Sequence, residues 1–137
     1  MRLLAVPRAR RLKRRRLIRP LFARGTDGVG RLRVGTVQLV WRLVTRDAVG
    51  AATTLQVGFA PGRRRTAVVR NRVRRQMRET FRLHAAPLLG ALDGRPDTLT
   101  LFVLFRGRDA TAGPDLRRDL PEAIARLAGR IPAAPAP

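Results

Sequence analysis

Two segments in the first half of the chain alternate apolar and polar residues, which is the period of a strand with one buried face. The apolar positions are Val37, Leu39, Trp41 and Leu43 in GTVQLVWRLV, and Leu55, Val57 and Phe59 in TTLQVGF. The turn-like segment RDAVGAA separates the two. The spacing therefore predicts an antiparallel, hairpin-like pair of strands.

Residues 66–82, TAVVRNRVRRQMRETFR, change to the period of a helix. At about 100° per residue, one arc of this helix contains Val69, Val73, Met77, Thr80 and His84, with Phe81 beside it. We expect this arc to be buried. The opposite side contains Asn71, Arg75, Arg78 and Arg82, with Arg74 next to them and Arg70 and Arg72 on the two borders.

Four further segments complete the predicted order of elements. LIRPLFARG predicts a short helix with Pro20 in its first turn or at a kink, and Gly25 at its end. We expect a loop over residues 90–97, followed by a buried strand in LTLFVLF, which is apolar at both parities. The acids of DLPE, at positions 119–122, have capping-box spacing and predict a final helix that begins there, with its proline in the first turn.

Length and composition indicate one domain, since the chain has 137 residues of which 45% are hydrophobic. We expect a flexible basic arm over residues 1–16, the domain over 17–130 and a flexible Pro/Ala tail over 131–137. The absence of cysteine excludes disulfides and thiolate metal sites. Near the N-terminus the longest apolar run is LLAV, too short for a signal peptide or a membrane span. We therefore expect a cytoplasmic protein without a membrane partner.

The net charge of +21, with a sequence pI of about 12.0, indicates a polyanionic partner. Residues 83–137 contain seven arginines and six acids, so almost all of the excess charge lies in the first 82 residues. Lys13 is the only lysine. Arginine suits phosphate because its planar guanidinium donates in a fork, although a GC-rich genome would also favour arginine over lysine.

The charge of the predicted helix differs from that of an ordinary solvated helix. Glu79 is the only acid among nine arginines from Arg63 to Arg82. Solvated faces normally intersperse both signs, because like charges three or four residues apart repel by a few tenths of a kcal/mol. A polyanion bound to this face would relieve the repulsion.

The stretch GFAPGRRRTAVVRNRVRRQMRETFR resembles the signature of the protein subunit of bacterial ribonuclease P. In that family a V-G-F strand and a basic loop precede an A-V-x-R-N-R-x-x-R-x-x-R-E helix. RLKRRRLIRPLFARG is similar to the family's N-terminal segment and aromatic-containing helix, LTLFVLFRG to a later strand that ends in arginine, and LRRDLPEAIARL to its final helix. The resemblance covers nearly the whole chain.

The resemblance implies an α/β fold, namely a compact single-domain α/β sandwich like domain 2 of ribosomal protein S5, with a left-handed βαβ crossover. Members of the family bind a large catalytic RNA, which with Mg²⁺ removes the 5′ leader from precursor tRNA. The implied role is the non-catalytic protein subunit of an endoribonuclease. Its partners would be the catalytic RNA and precursor tRNA, with Mg²⁺ acting through the RNA, and no protein partner is evident.

The resemblance assigns contact with the catalytic RNA to the R-N-R element and the arginines that continue it, and the charge of the basic loop and of the N-terminal segment makes their basic residues further candidates for RNA binding. These residues are Arg70, Asn71, Arg72, Arg74, Arg75, Arg78, Arg63, Arg64, Arg65, Arg11 and Lys13. Two local alternatives stay open: Arg70 could bridge the helix to the sheet, and Asn71 could cap a helix that begins later.

The resemblance also implies a cleft that binds the leader strand by stacking its bases on aromatics of the N-terminal helix and the sheet. Phe22 and Trp41 are the candidates, with core packing as an equal alternative for both. The chain departs from the family pattern at Ile18, where a first aromatic is usual, and at Ala60, where serine is common. Its basic loop is also one residue shorter than usual.

Two other classes of function remain as alternatives. A ribosomal or nucleoid protein would use the same charge structurally, against which the R-N-R helix after V-G-F argues. A nuclease acting alone would need clustered carboxylates for two metal ions or a histidine pair. The sequence has one histidine, His84, on the apolar arc, and Asp93 and Asp97 have no third acid beside them. We therefore predict no catalytic and no metal-binding residue.

Overall fold

A four-stranded mixed sheet separates two layers of helices in the computed structural model, which describes residues 8–133. The strands are β1 (Val29–Val34), β2 (Val37–Thr45), β3 (Leu55–Ala60) and β4 (Asp97–Phe105). The helices are α1 (Arg15–Phe22), α2 (Arg46–Val49), α3 (Ala67–His84), α4 (Ala86–Leu92) and α5 (Ala112–Arg130). Short 3-10 turns at Arg8–Arg10 and Asp109–Thr111 precede α1 and α5.

The strand order β1-β2-β4-β3 places β4 inside the sheet. β2 is antiparallel to β1 and β4, whereas β3 is parallel to β4 and is joined to it through α3 and α4, in a βαβ arrangement. The predicted pairing of β2 with β3 is therefore wrong. β4 lies between them because LTLFVLF is apolar on both faces, and an interior strand is covered on both.

The true hairpin partner of β2 is β1, which the hydrophobic pattern did not predict. In its sequence VGRLRV only Leu32 and Val34 are buried. Val34 pairs with Val37 across a tight turn, in which Gly35 has a φ of 54°. This left-handed conformation favours glycine.

Each face of the sheet covers its own hydrophobic core. The larger core lies between the sheet and α3, α4 and α5, and the predicted row Val37, Leu39 and Trp41 faces it as expected. The smaller core lies on the other face, where Leu17 and Leu21 of α1 pack against Val40. Since side chains of a strand alternate between faces, α1 and α3 lie on opposite sides of the sheet.

The helix predicted over residues 66–82 is confirmed as α3, and Thr66 caps its N-terminus by accepting a 3.2 Å hydrogen bond from the Val69 N–H. The predicted arc is buried at Val73, Met77, Thr80 and Phe81. His84 is an exception, because it is exposed at the last residue of the helix. The chain turns into α4 there, so the expected loop over residues 90–97 is helical as far as Leu92.

The final helix begins at Ala112 rather than at the predicted start, Asp119. Asp119 is buried in the middle of α5, where it accepts hydrogen bonds from the Thr36 N–H at 2.9 Å and the Thr36 hydroxyl at 2.8 Å. Pro121 is likewise inside the helix instead of in its first turn. Asp119 was predicted to cap a helix, but its hydrogen bonds with Thr36 instead link the β1–β2 turn to α5.

The described part of the predicted arm packs along the outer edge of β3. Arg11 forms a parallel bridge with Val57, the Leu12 N–H donates to the Val57 carbonyl at 3.1 Å, and the side chain of Leu12 is buried. Residues 8–12 thus differ from the expected loose arm, because a leucine among the basic residues completes the smaller core. Residues 1–7, and residues 134–137 of the expected tail, lie outside the described part.

Replacement of Asp119 by alanine should lower the free energy of unfolding by about 1–3 kcal/mol, since the partly buried Thr36 donors lose their acceptor. Hydrogen bonds from Arg118, followed by those from Thr36, lower the pKa of Asp119 well below its ordinary value. A carboxylate with a lowered pKa stabilises the fold above its unfolded pKa. The difference between the wild type and the variant should therefore shrink as the pH falls below about 4.

The measurement is chemical denaturation of both proteins across a pH series. Glu122→Ala on the same helix is the matched control, since its carboxylate forms only an exposed pair with Arg126 and should change stability by under about 1 kcal/mol. A stability loss in Asp119→Ala that stays constant down to pH 2 would contradict the assigned role of the carboxylate.

Candidate nucleic-acid interface

The outer face of α3 carries guanidiniums that no acid neutralises. Arg72, Arg75 and Arg78 are exposed, and Arg70 and Arg74 are partly buried. The ion pairs within residues 8–133 all use acids between Asp97 and Glu122, and none involves α3. Within α3, which is about 27 Å long at 1.5 Å per residue over 18 residues, these arginines from Arg70 to Arg78 span about 12 Å.

The structure decides between the alternatives for the R-N-R element. Asn71 does not cap α3, because Thr66 does; the exposed Asn71 side chain instead accepts a 3.3 Å hydrogen bond from Arg74. Arg70 has no hydrogen bond or ion pair from its guanidinium to any other described residue, so it does not bridge the helix to the sheet. Arg70, Asn71 and Arg72 are thus all available to a ligand.

The three arginines of the basic loop are not equivalent. Arg63 and Arg65 are exposed, whereas the side chain of Arg64 is only 8% exposed. The Arg64 guanidinium donates to Asp109 at 2.7 Å, to the Gly107 carbonyl at 2.8 Å and to the Pro61 carbonyl at 2.6 Å. It also lies 5.1 Å from the centre of the Phe105 ring.

Arg64 therefore departs from its predicted role as a phosphate contact. Its donors are used inside the protein, where they tie the loop to the end of β4 and the start of α5. The sequence showed only three consecutive arginines and had no signal to separate the middle one. The separation arises because Asp109 and the carbonyls that follow β4 are brought beside the loop by the fold.

The N-terminal candidates lie at the same edge of the sheet as the basic loop. Arg11 and Lys13 are exposed on either side of the buried Leu12, and β3, along which they run, leads directly into the loop. The edge strand thus connects the N-terminal basic residues to the start of α3. Two groups of predicted RNA contacts that are far apart in sequence are adjacent in the fold.

Trp41 does not form a cleft with Phe22, because the two lie on opposite faces of the sheet. Trp41 is 8% exposed in the larger core, with the Arg130 guanidinium 6.0 Å from its ring centre. Its indole covers Gly30, where a Cβ atom would overlap the ring. Trp41 is thus a core residue, which favours the core-packing alternative over a place in the leader cleft.

The sheet aromatic that meets Phe22 is Phe102 of β4, which sequence reasoning missed. Their ring centres are 5.5 Å apart in an edge-to-face arrangement, and Phe22 is 49% exposed. Phe102 is paired with Val40 and so shares the α1 side of the sheet. The strand is apolar at both parities, so only the register with β2 shows which of its phenylalanines faces α1.

Gly58 of the V-G-F segment allows Phe102 to lie flat on the neighbouring strand. A Cβ atom at Gly58 would lie 2.8 Å from a ring carbon of Phe102 and 3.3 Å from the Leu12 carbonyl oxygen. Any side chain at this position would displace the ring or the N-terminal segment. The glycine thereby keeps the aromatic surface open beside Phe22.

No group of three His, Asp or Glu side chains within residues 8–133 is arranged to hold a metal ion. His84 is exposed, and one ring nitrogen lies 3.0 Å from the Thr80 carbonyl oxygen of its own helix. Over the same range, no helix has both the length and the apolar character needed to cross a membrane. The chemistry that this surface offers is the binding of phosphates by guanidiniums and the stacking of bases on aromatic rings.

Comparisons with known proteins identify the family to which the chain belongs. The sequence model of the Ribonuclease P family matches residues 6–128. Among solved structures, the chain is similar to the RNase P protein of Staphylococcus aureus, with a TM-score of 0.54, 15% sequence identity, and coverage of 90% of this chain and 98% of that one. That likeness shows a shared fold, and no curated protein gives a significant sequence match. Because the family model spans most of its length, the chain belongs to the ribonuclease P family, as the protein subunit that associates with ribonuclease P RNA in tRNA processing.

Proposed function

We propose that the RNA carries the chemistry of leader removal and that this chain supplies binding surfaces for the catalytic RNA and for precursor tRNA. The observation that carries the proposal is the use of the acids. Asp97, Asp109 and Asp119 form ion pairs with Arg95, Arg64 and Arg118, none of which belongs to α3. Mg²⁺ would accordingly be bound through RNA phosphates, and we place the assembly in the cytoplasm.

The basic surface fits the catalytic RNA. It consists of the exposed arginines of α3, Arg63 and Arg65 of the loop, and Arg11 and Lys13 at the sheet edge. A folded RNA brings its own phosphates together, and guanidiniums between them reduce the repulsion. Binding on this surface would therefore stabilise the folded RNA as well as position the protein on it.

The aromatic surface fits the leader of precursor tRNA. Phe22 and Phe102 present ring edges and faces beside α1, and every base has a π-face that can stack on them. Ile18, which replaces an aromatic of the family pattern, packs against the smaller core. One half-exposed ring and its sheet partner would thus contact leaders of different sequence.

The test of the proposal is multiple-turnover cleavage of a precursor tRNA with a 5′ leader by a bacterial ribonuclease P RNA at low Mg²⁺. Reactions contain the RNA alone, the protein alone, or both. We expect the protein to stimulate cleavage only in the presence of the RNA. Cleavage by the protein alone would refute RNA-borne chemistry, and tight RNA binding without stimulation would point to a ribosomal or nucleoid role.

Substitution of exposed arginines of α3 and substitution of the internally hydrogen-bonded Arg64 should have opposite effects on RNA binding and on stability. Arg72→Ala combined with Arg75→Ala removes two exposed guanidiniums and should lower the salt slope of catalytic-RNA binding by roughly 1.4–1.8 at an unchanged Tm. Arg64→Ala should lower the free energy of unfolding by about 1–3 kcal/mol, since Asp109 loses its partner.

The measurements are RNA titrations over a salt series and thermal unfolding of each variant. Arg117→Ala, which removes an exposed arginine from α5, is the matched control. If Arg64→Ala reduced the salt slope and left the Tm unchanged, Arg64 would be a phosphate contact and the role assigned here would be wrong.

Alanine variants of Phe22 and Trp41 should also differ in their effects on leader binding and on stability. Phe22→Ala should weaken binding of a leader-bearing precursor by roughly 5–150-fold, equivalent to the loss of about 1–3 kcal/mol of stacking, with no effect on tRNA that lacks a leader. Trp41→Ala should instead lower the free energy of unfolding by about 3–5 kcal/mol. The affinities are measured with the assembled ribonucleoprotein, for the precursor and for tRNA without a leader. The free energies of unfolding are measured by denaturation of the free protein. Equal losses with and without a leader would argue against stacking by Phe22.

A further inference from the structure

The two edges of the sheet differ in what covers them. Along β3, Arg11 forms a parallel bridge with Val57, and the Leu12 N–H donates to the Val57 carbonyl. Along β1, at the opposite edge, no segment within residues 8–133 adds a bridge or a backbone hydrogen bond beyond those to β2. The described chain thus covers one edge with an extended segment of its own and leaves the other open.

The register of the β1–β2 hairpin shows which backbone groups lie on this outer side. Val34 and Val37 flank a two-residue turn and therefore form a hydrogen-bonded pair. In an antiparallel ladder such pairs alternate with pairs whose N–H and carbonyl groups point away from the partner strand. The outward groups of β1 accordingly belong to Val29, Arg31 and Arg33. We call this row of groups, about 14 Å long at the rise of an antiparallel strand, the β1 edge.

Two observed hydrogen bonds agree with this assignment. The Arg106 N–H donates to the Thr36 carbonyl at 2.8 Å, so alternate residues of β2 from Thr36 onward bond to β4 and the others bond to β1. The Arg130 guanidinium donates to the Arg31 carbonyl at 3.2 Å, which shows that this carbonyl points away from β2. Within residues 8–133 no other group bonds to the β1 edge, so its N–H groups and its other carbonyls are open to a ligand.

The charge beside the β1 edge is positive. Arg31 and Arg33 are both exposed, and neither guanidinium forms an ion pair with a described residue. Arg31 donates to the Leu21 carbonyl and Arg33 to the Gly35 carbonyl, each at 3.2 Å, so both guanidiniums keep further donors for a ligand. The acid nearest in the sequence, Asp27, precedes the strand. A partner with negative charge therefore complements this edge.

A second copy of the chain does not fit the β1 edge. Two such edges that paired would bring Arg31 and Arg33 of both copies together, and like charges on paired strands destabilise a sheet. RNA would match the cations, but its phosphates only accept hydrogen bonds and leave the outward carbonyls without donors. An extended peptide supplies N–H and carbonyl groups at the same repeat as β1, and acidic side chains at every second residue would lie beside the two arginines.

We propose that the β1 edge binds an extended, acidic segment of a protein partner, which joins the sheet as a strand beside β1. Main-chain hydrogen bonds give such a strand its affinity, and aspartates or glutamates at alternate positions select it through Arg31 and Arg33. The Arg130 guanidinium, already bound to the edge, adds a third cation for the same carboxylates. The contact goes beyond the proposed RNA binding, since it uses neither α3 nor the basic loop.

The probe is a peptide of about eight residues that alternates glutamate with valine, and its control is the same peptide with every backbone amide methylated. The control keeps the carboxylates but cannot pair as a strand. Both peptides are titrated into the free protein by fluorescence anisotropy at physiological ionic strength. Hydrogen exchange of the backbone N–H groups of Arg31 and Arg33 locates the contact.

Two substitutions at one position separate backbone pairing from charge. Arg33→Ala removes one cation and keeps the outward N–H, whereas Arg33→Pro removes both. Since this N–H does not bond to β2, proline is compatible with the β1–β2 ladder. Arg117→Ala is the matched control for loss of an exposed arginine elsewhere. Thermal unfolding and affinity for the catalytic RNA are measured for each variant, and if Arg33→Pro is unstable the methylated peptide still tests the backbone pairing.

We expect the acidic peptide to bind the wild type and Arg117→Ala alike and to slow exchange at Arg31 and Arg33. Arg33→Ala should weaken binding by up to about fivefold, the effect of one opposite-charge pair across strands, and Arg33→Pro or peptide methylation by about tenfold or more. Equal binding of the two peptides would reduce the interaction to attraction by the net charge and overturn the proposal. A loss of catalytic-RNA affinity in Arg33→Ala relative to Arg117→Ala would assign the edge to RNA and also overturn it.

Discussion

The burial of both faces of β4 is the constraint on which the rest of the molecule depends. Leu101 and Val103 enter the larger core, while Phe102 faces the smaller one, so a single strand joins the two cores. Its interior position separates α1 from α3 and makes β3 an edge strand. The aromatic surface and the arginine-rich helix therefore lie on opposite sides of the sheet, with the N-terminal segment along the edge that connects them.

Most of the acids lie in residues 83–137, whereas the excess arginines lie in the first 82 residues. Residues 83–137 nearly balance their charges, and α5 supplies acids to local ion pairs and to Thr36. The like charges of the first 82 residues repel one another, and apolar contacts hold this part of the chain together. Val73 and Met77, for example, fix α3 in the larger core. Because self-repulsion destabilises a compact state, an RNA partner supplies the counter-charge that the chain lacks.

Neighbouring arginines have different physical roles in this arrangement. The Arg64 guanidinium donates hydrogen bonds to carbonyls and to Asp109, while Arg65, one residue later, is exposed. Arg130 lies over the ring of Trp41 in the core, and Arg31 donates a hydrogen bond to the Leu21 carbonyl at the end of α1. A basic composition thus serves packing, loop anchoring and RNA binding, and only the surroundings of each guanidinium distinguish these roles.

The sequence by itself determined the features that depend on local period and charge. These are the helix α3 with its apolar arc, the burial of LTLFVLF, the face of β2 that enters the core, the polyanionic partner and the family resemblance. The tertiary structure decided what depends on contacts between distant segments: the pairing of β2 with β4, the burial of Asp119 against Thr36, the internal role of Arg64, and Phe102 in place of Trp41 beside Phe22. The contacts of Arg64 with Asp109 and of Thr36 with Asp119 join residues 45 and 83 positions apart, and neither the strand period nor the helix period carries information over such distances.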